Sequence, residues 1–214
     1  MRSQRRVRLQ VDERRKQLLE LGIEAFSTQP YEEISIEKLA ESAGISKGLL
    51  YHYFRGKREF YVEAIRAASL RLRALTKPNP SLPPGERLRA AIDAHLDYLE
   101  AHGAVYTAIY RGGVAIAPEV GKVEEEHRQL LLRWLLRNMD IVRPRPVLRT
   151  ALRAWLAMVE GASLDWIARR ELDRRELGEL LMAGYFAVLR KAAEIDPKAA
   201  TETRFYRSKA SARP

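Results

Sequence analysis

The chain has 214 residues, 46% of them hydrophobic and 31% charged, and 38 Lys and Arg against 28 Asp and Glu give a formal net charge of +10. That apolar content is enough to bury a core, yet no apolar run reaches the ~18 residues a spanning helix needs. Cysteine is absent, which excludes disulfides, thiol nucleophiles and Cys-bound zinc, and the positive balance points to a polyanionic partner, nucleic acid ahead of a membrane surface.

The charge is uneven. Arg2, Arg5, Arg6 and Arg8 give +4 to residues 1–8; Lys198, Arg204, Arg207, Lys209 and Arg213 against Glu202 give +4 to residues 198–214. Everything between sums to +2. Like-charged ends of this kind are commonly unstructured interaction arms or solubilising segments. Residues 1–10 are therefore expected to be a basic arm and 197–214 a basic tail.

In chain order, apolar residues recur at three- and four-residue spacing with no sustained alternation, so the expected fold class is all-α with about nine helices. The first is expected over about 11–27, with Leu18, Leu19, Gly22, Ala25 and Phe26 on one face. Ser35 is a good N-cap for a short helix over 36–43, because its hydroxyl can accept from an unpaired first-turn amide. Gly44 ends that helix by entering the left-handed conformation without steric cost. Ser46 caps the next, to about Tyr53, and Gly56 precedes a longer helix over 57–76. Pro78, Pro80, Pro83 and Pro84 break the pattern. Further helices are expected over 84–101, 104–110, 118–139, 144–170 and 174–194. Gly103, Gly112 and Gly113 suit stops, Pro84 and Pro118 suit first turns, and Asp173 with Glu176 has capping-box spacing.

The informative stretch is Ser35–Phe54, SIEKLAESAGISKGLLYHYF. Two short helices joined by a tight Ala43-Gly44-Ile45 turn have the spacing of a helix-turn-helix. Ile36, Leu39, Ala40, Ile45 and Leu50 supply the contacts that fix the angle between them. The second helix then presents Ser46, Lys47, Gly48, Leu49, Tyr51, His52 and Tyr53 along its other surfaces. Such a helix fits a DNA major groove with its N-terminal residues on base edges, and its amide-rich start attracts phosphate.

Residues from about Arg14 to Phe60 resemble the N-terminal domain of TetR-type transcriptional regulators. The resemblance rests on Leu19, Ala25-Phe26, Ile36, Leu39-Ala40, Ala43-Gly44-Ile45-Ser46, Gly48, Leu50-Tyr51, Tyr53-Phe54 and Lys57. It implies a three-helix DNA-binding head over 11–56 and a larger helical domain for ligand binding and dimerisation over 57–196. It also implies roles for individual residues. Ser35 stands where the family commonly has Thr on a phosphate; Lys47 and Gly48 open the recognition helix, where Lys can read guanine O6/N7. Tyr51 and His52 match positions that meet backbone or bases. Tyr53 stands where the family often has His, and one of Tyr51 and Tyr53 could instead seal the small core. Lys57, opening the long helix, is a phosphate-clamp candidate.

The implied function is a ligand-responsive, sequence-specific transcriptional regulator, a repressor released from its operator by a small-molecule effector. The expected partners are double-stranded operator DNA, a second copy of the chain and that effector, with no membrane and no other cofactor. The basic opening lacks the apolar stretch of a secretory signal, so a cytoplasmic location is expected, on the nucleoid when DNA is bound.

Outside the head the residues leave alternatives open. Tyr98, Tyr106, Tyr110, Trp134, Trp155 and Met158, with Arg111 as the charged member, could line an effector pocket or form ordinary core. Leu152, Trp155, Val159, Leu177, Leu181, Tyr185 and Val188 follow helical spacing on the last two helices and could build a four-helix dimer bundle, with Gly161, Ala162, Ser163 and Gly184 allowing close approach; each face could also be intramolecular. The four histidines show no metal spacing, and Glu124-Glu125-Glu126 beside His127 reads as a solvated acidic face rather than an acid/base cluster. No phosphate loop or nucleophile elbow supports an enzyme. A helical carrier with an unused head and a general DNA-coating protein are the rival classes. Residues 9–57 carry a net charge of −1, so the case for DNA rests on residue placement rather than on the surplus of charge.

Overall fold

The computed structural model describes the backbone of residues 2–77, 80–110 and 116–199, and the side chains of that set apart from 2–10, 84 and 85. Among the described residues there are eight α-helices and no strand: α1 (Arg2–Thr28), α2 (Ile36–Ser42), α3 (Lys47–Tyr53), α4 (Lys57–Leu75), α5 (Pro84–Tyr110), α6 (Pro118–Asn138), α7 (Pro146–Arg169) and α8 (Arg174–Ile195). A 3-10 turn, Tyr31–Glu33, lies between α1 and α2. The expected all-α class holds.

Two boundaries differ from expectation. Helix α1 begins at Arg2 rather than near Val11, so the backbone of the expected arm is helical. No Gly or Pro interrupts residues 2–21, and nothing there stops a helix from running back through four arginines. The two helices expected over 84–101 and 104–110 form one run with a kink at His102 (φ −139°, ψ 31°), beside the glycine read as a stop. Of the features read from sequence, Pro78, Gly112, Gly113 and the tail from residue 200 lie outside the described residues.

The chain divides into two compact units, residues 1–71 with 104–124, and residues 72–103 with 125–214. In the first, α1 to α4 close around Leu18, Phe26, Leu50, Phe54, Phe60 and Ala64, with Ile109 and Val120 packed into the same cluster. Aromatic rings form its centre: Phe26 meets Tyr61 edge-on at 4.9 Å and Phe54 lies 4.6 Å from Phe60. Arg15 ties α1 to α4 through Glu63 at 2.7 Å, and Arg58 ties α4 to α6 through Glu119 at 2.8 Å.

The second unit is organised by α7 and α8. Leu148, Leu152, Leu177, Leu181 and Tyr185 are all buried to 1% exposure or less. Trp155 Nε1 donates to the Leu181 carbonyl at 2.9 Å, and its ring meets Tyr185 edge-on at 5.1 Å. A Cβ at Gly184 would sit 2.8 Å from Met158 Sδ, so any larger residue there would require the Met158 side chain to move. Helix α8 starts on the expected capping box: Glu176 N–H donates to Asp173 Oδ1 at 2.7 Å and Asp173 N–H donates to Glu176 Oε2 at 2.8 Å.

Candidate nucleic-acid interface

The angle between α2 and α3 is set by local chemistry. The Ser35 hydroxyl accepts from Lys38 N–H at 3.3 Å and the Ser46 hydroxyl from Leu49 N–H at 3.1 Å, so both short helices start on serine caps. Between them Gly44 takes φ +64°; its N–H donates to the Glu41 carbonyl at 2.9 Å, while Ile45 N–H donates to the Ala40 carbonyl at 3.0 Å. This pair of bonds is a Schellman stop, and it needs a residue at ease in the left-handed region. Leu50, wholly buried, then anchors α3 on the core.

With that one anchor in place, most of α3 faces outward. Lys47, Gly48 and His52 are exposed, and Leu49 and Tyr51 keep 39% and 41% exposure despite their apolar bulk. Tyr53 is instead half-buried and packs against the core, which separates two tyrosines that the sequence left interchangeable. A Cβ at Gly48 would touch nothing nearer than Ser46 Oγ at 3.9 Å, so no packing within the chain calls for glycine there. Lysine, an apolar pair and an imidazole on one bare helix can donate to guanine, meet thymine methyl groups and contact phosphate.

The cations are not free-floating. Lys47 pairs with Glu37 of α2 and stands 5.8 Å from the centre of the Tyr51 ring. The pairing holds the Glu37 carboxyl well below the usual carboxylate range, chiefly through its bond to Lys47. Lys57 Nζ donates to the Glu32 carbonyl at 3.2 Å and lies 4.5 Å above the Tyr31 ring. The ammonium has three N–H donors, so the bond to the carbonyl leaves others able to meet a phosphate oxygen. Glu37 is not among the residues singled out from the sequence, although opposite charges on the first turns of α2 and α3 are visible there.

The residues expected to line a pocket fall in both compact units. Tyr98, Trp134, Trp155 and Met158 belong to the second, whereas Tyr106 and Tyr110 belong to the first, where their rings lie 4.7 Å apart. Arg111 lies outside the described residues. A groove on the second unit is floored by Ile92, Leu96, Gly178 and Met182 and rimmed by Arg89, Arg174 and Glu179, and none of the expected pocket residues lines it.

Of the residues read as either a dimer surface or intramolecular core, Leu152, Trp155, Leu177, Leu181 and Tyr185 are buried within a single chain. Helical spacing alone cannot tell a face turned toward a neighbouring helix from one turned toward another subunit. Val159 and Val188 remain partly exposed.

The acidic run before His127 is solvated only in part: Glu126 is exposed, whereas Glu124 and His127 are buried. His95 Nε2 lies 2.9 Å from the Ser163 hydroxyl. Burial pushes His95 down to about 4, with His127 adding to the effect, and pushes His127 down to about 4, with Arg73 and Arg128 adding. His102 sits at the kink with its ring 4.9 Å from Tyr98. Among the described residues no group of three or more His, Asp and Glu could hold a metal ion, and no helix is long and apolar enough to cross a membrane.

A capped, core-anchored helix that leaves its reading face bare defines a helix-turn-helix DNA-binding protein. Comparison with known proteins supplies the family. Residues 18–64 match the family model described as bacterial regulatory proteins, tetR family, and residues 84–188 match the tetracyclin repressor-like C-terminal domain. A tetR-family transcriptional regulator from Streptomyces coelicolor superposes with a TM-score of 0.80 at 30% identity, covering 90% of this chain and 87% of that one. The transcriptional repressor KstR2 of Mycobacterium tuberculosis is 30% identical over 135 residues, 61% of this chain and 67% of its own. The transcriptional activator FasR of Mycolicibacterium smegmatis is 31% identical over 115 residues, a match spanning 53% of this chain and only about half, 52%, of FasR. The chain belongs to the TetR family of bacterial transcriptional regulators, and it is a DNA-binding regulator rather than an enzyme.

Proposed function

We propose that this regulator acts as a homodimeric repressor, cytoplasmic, that a small-molecule effector releases from a two-fold-symmetric operator. The observation that carries the reading is α3: Leu50 is wholly buried while Lys47, Leu49, Tyr51 and His52 stand exposed around it. Two such helices, one per subunit, would enter successive major-groove faces, with Lys47 on guanine and Leu49 and Tyr51 on thymine methyl groups. Ser35, Ser46, Gly48, Tyr53 and Lys57 would complete the contact surface, with Lys57 using a further N–H on a phosphate oxygen.

The second copy would meet the small and apolar side chains that α7 and α8 leave exposed, Ala154, Ala157 and Gly161 on one and Leu180, Ala183 and Ala187 on the other. The effector would bind in the second unit, and α4, continuous from Lys57 to Leu75, would carry its influence to the head. Release requires the effector to bind more tightly to the arrangement that fits the operator less well, because only a difference in affinity shifts an equilibrium.

The test is enrichment of duplexes from a random-sequence pool, followed by binding across a salt series. The expected result is a paired half-site motif whose affinity falls steeply with salt. Failure to enrich any sequence over the starting pool would sink the proposal. A thermal-shift screen would then find the effector by the rise in Tm it causes, and adding that compound should lower affinity for the enriched duplex.

A further inference from the structure

A carboxylate stands in the middle of the reading surface. Glu37 and its partner Lys47 are both open to solvent, with 59% and 51% of their side-chain surface exposed. The pair has neighbours on each side: Glu37 Oε2 accepts the Ser35 hydroxyl at 2.9 Å, and the Lys47 ammonium lies over the Tyr51 ring. Ser35, Glu37, Lys47 and Tyr51 thus form a chain of contacts across the residues that face DNA. Duplex DNA presents about one negative charge per 1.7 Å of axis, so an acid at this position opposes approach. First-turn acids ordinarily support the helix dipole. A carboxylate turned away from Lys47 would do that equally well.

We infer that Glu37 is a specificity-determining residue that acts through Lys47. On DNA that offers Lys47 no base partner, Glu37 and the Tyr51 ring hold the ammonium back from phosphate, and the pair contributes no net positive charge. Where a guanine edge is presented, its O6 and N7 take the ammonium in a directed contact that a phosphate cannot imitate. The exchange is possible because an exposed ion pair is weak. Discrimination then comes from a repulsive element directed at the wrong sequences as much as from attraction to the right one. The inference rests on the DNA-reading role of α3.

The test uses Glu37→Gln, which keeps the shape and leaves the Ser35 hydroxyl an acceptor. Two probes are titrated across salt: a duplex that the wild-type protein enriches from a random pool, and the unselected pool. For the unselected pool, affinity should rise about three-fold at low salt, and the slope of log affinity against log salt should steepen by about 0.9 per bound subunit as one more cation meets phosphate. The enriched duplex should change less, so the ratio between the two falls. In a Lys47→Ala background the effect of Glu37→Gln on the pool should shrink below half. Equal changes on both probes, with or without a lower Tm, would show plain helix support and overturn the inference. So would an undiminished effect without Lys47, which would make Glu37 a direct repellent of phosphate. A wild-type protein that enriches nothing removes the regulator reading itself, whereas enrichment by the wild type with no response to Glu37→Gln removes this inference alone.

Discussion

Helices α3 and α8 use the same kinds of residue to opposite ends. Helix α8 encloses Leu177, Leu181 and Tyr185 at 1% exposure or less, and a Trp from α7 caps the cluster. Helix α3 buries Leu50 and leaves Leu49 and Tyr51 about two-fifths exposed within a span of seven residues. A helix that builds a core turns its large side chains inward, where each contributes about 1.5–3 kcal/mol. A helix that reads another molecule keeps them bare and relies on caps, a tight turn and a single anchor for its position. Damage to the first should therefore register as lost stability, and damage to the second as lost recognition.

The largest effect should come from Trp155→Ala, which removes a buried ring and its indole bond to the Leu181 carbonyl. A loss of about 3–5 kcal/mol is expected, read as a clear fall in Tm by calorimetry, with the sequence preference of the surviving folded protein unchanged. Acidification should act on the same unit. His95 and His127 are held near 4 in the folded protein against about 6.5 when unfolded, so the unfolded state binds more protons between those values. Stability is then complete above about pH 6.5 and declines as the pH falls toward 4. Melting curves at pH 7 and pH 5 should differ by roughly 5–10 °C, and replacing both histidines with Gln should flatten that difference.

On the recognition side, Lys47→Ala should leave Tm nearly unchanged and cost about 1–3 kcal/mol on the enriched duplex, with a much smaller loss on random DNA. A uniform loss on both would move Lys47 from base reading to phosphate contact. The smallest effect joins the two regions. Ser46→Ala removes the cap of α3 and should cost about 1 kcal/mol of stability, with a modest loss of binding to every sequence as the helix start frays.

The same contrast explains what the sequence disclosed. Caps and turns are local, and the local signals at Ser35, Gly44, Ser46 and the Asp173–Glu176 pair all correspond to bonds in the structure. The helix-turn-helix was legible because its spacing is fixed by such bonds. Assigning the α7 and α8 faces depended on which neighbour covers them, and no periodicity carries that information; hence Leu152, Leu177, Leu181 and Tyr185 could be read from the sequence as subunit surface or as core, and burial within the single chain is what the structure adds. The Glu37–Lys47 pair joins two residues ten apart on different helices; their opposite charges are visible in the sequence, but the pairing depends on the angle between α2 and α3. Helix α1 was expected to begin near Val11 because four arginines read as an arm, although charge by itself does not stop a helix.

The kink at His102 has a further consequence. It takes His102 out of the helical dihedral region close to the place where the chain passes from one compact unit to the other, between residues 103 and 104. A continuous helix of this length would protect its amides as one cooperative block. With the helical geometry departing at His102, the stretch before it and the stretch after it should trade hydrogen for deuterium as separate blocks, each at the pace of the unit that holds it. Deuterium uptake along α5 would thus report on both units from within a single helix.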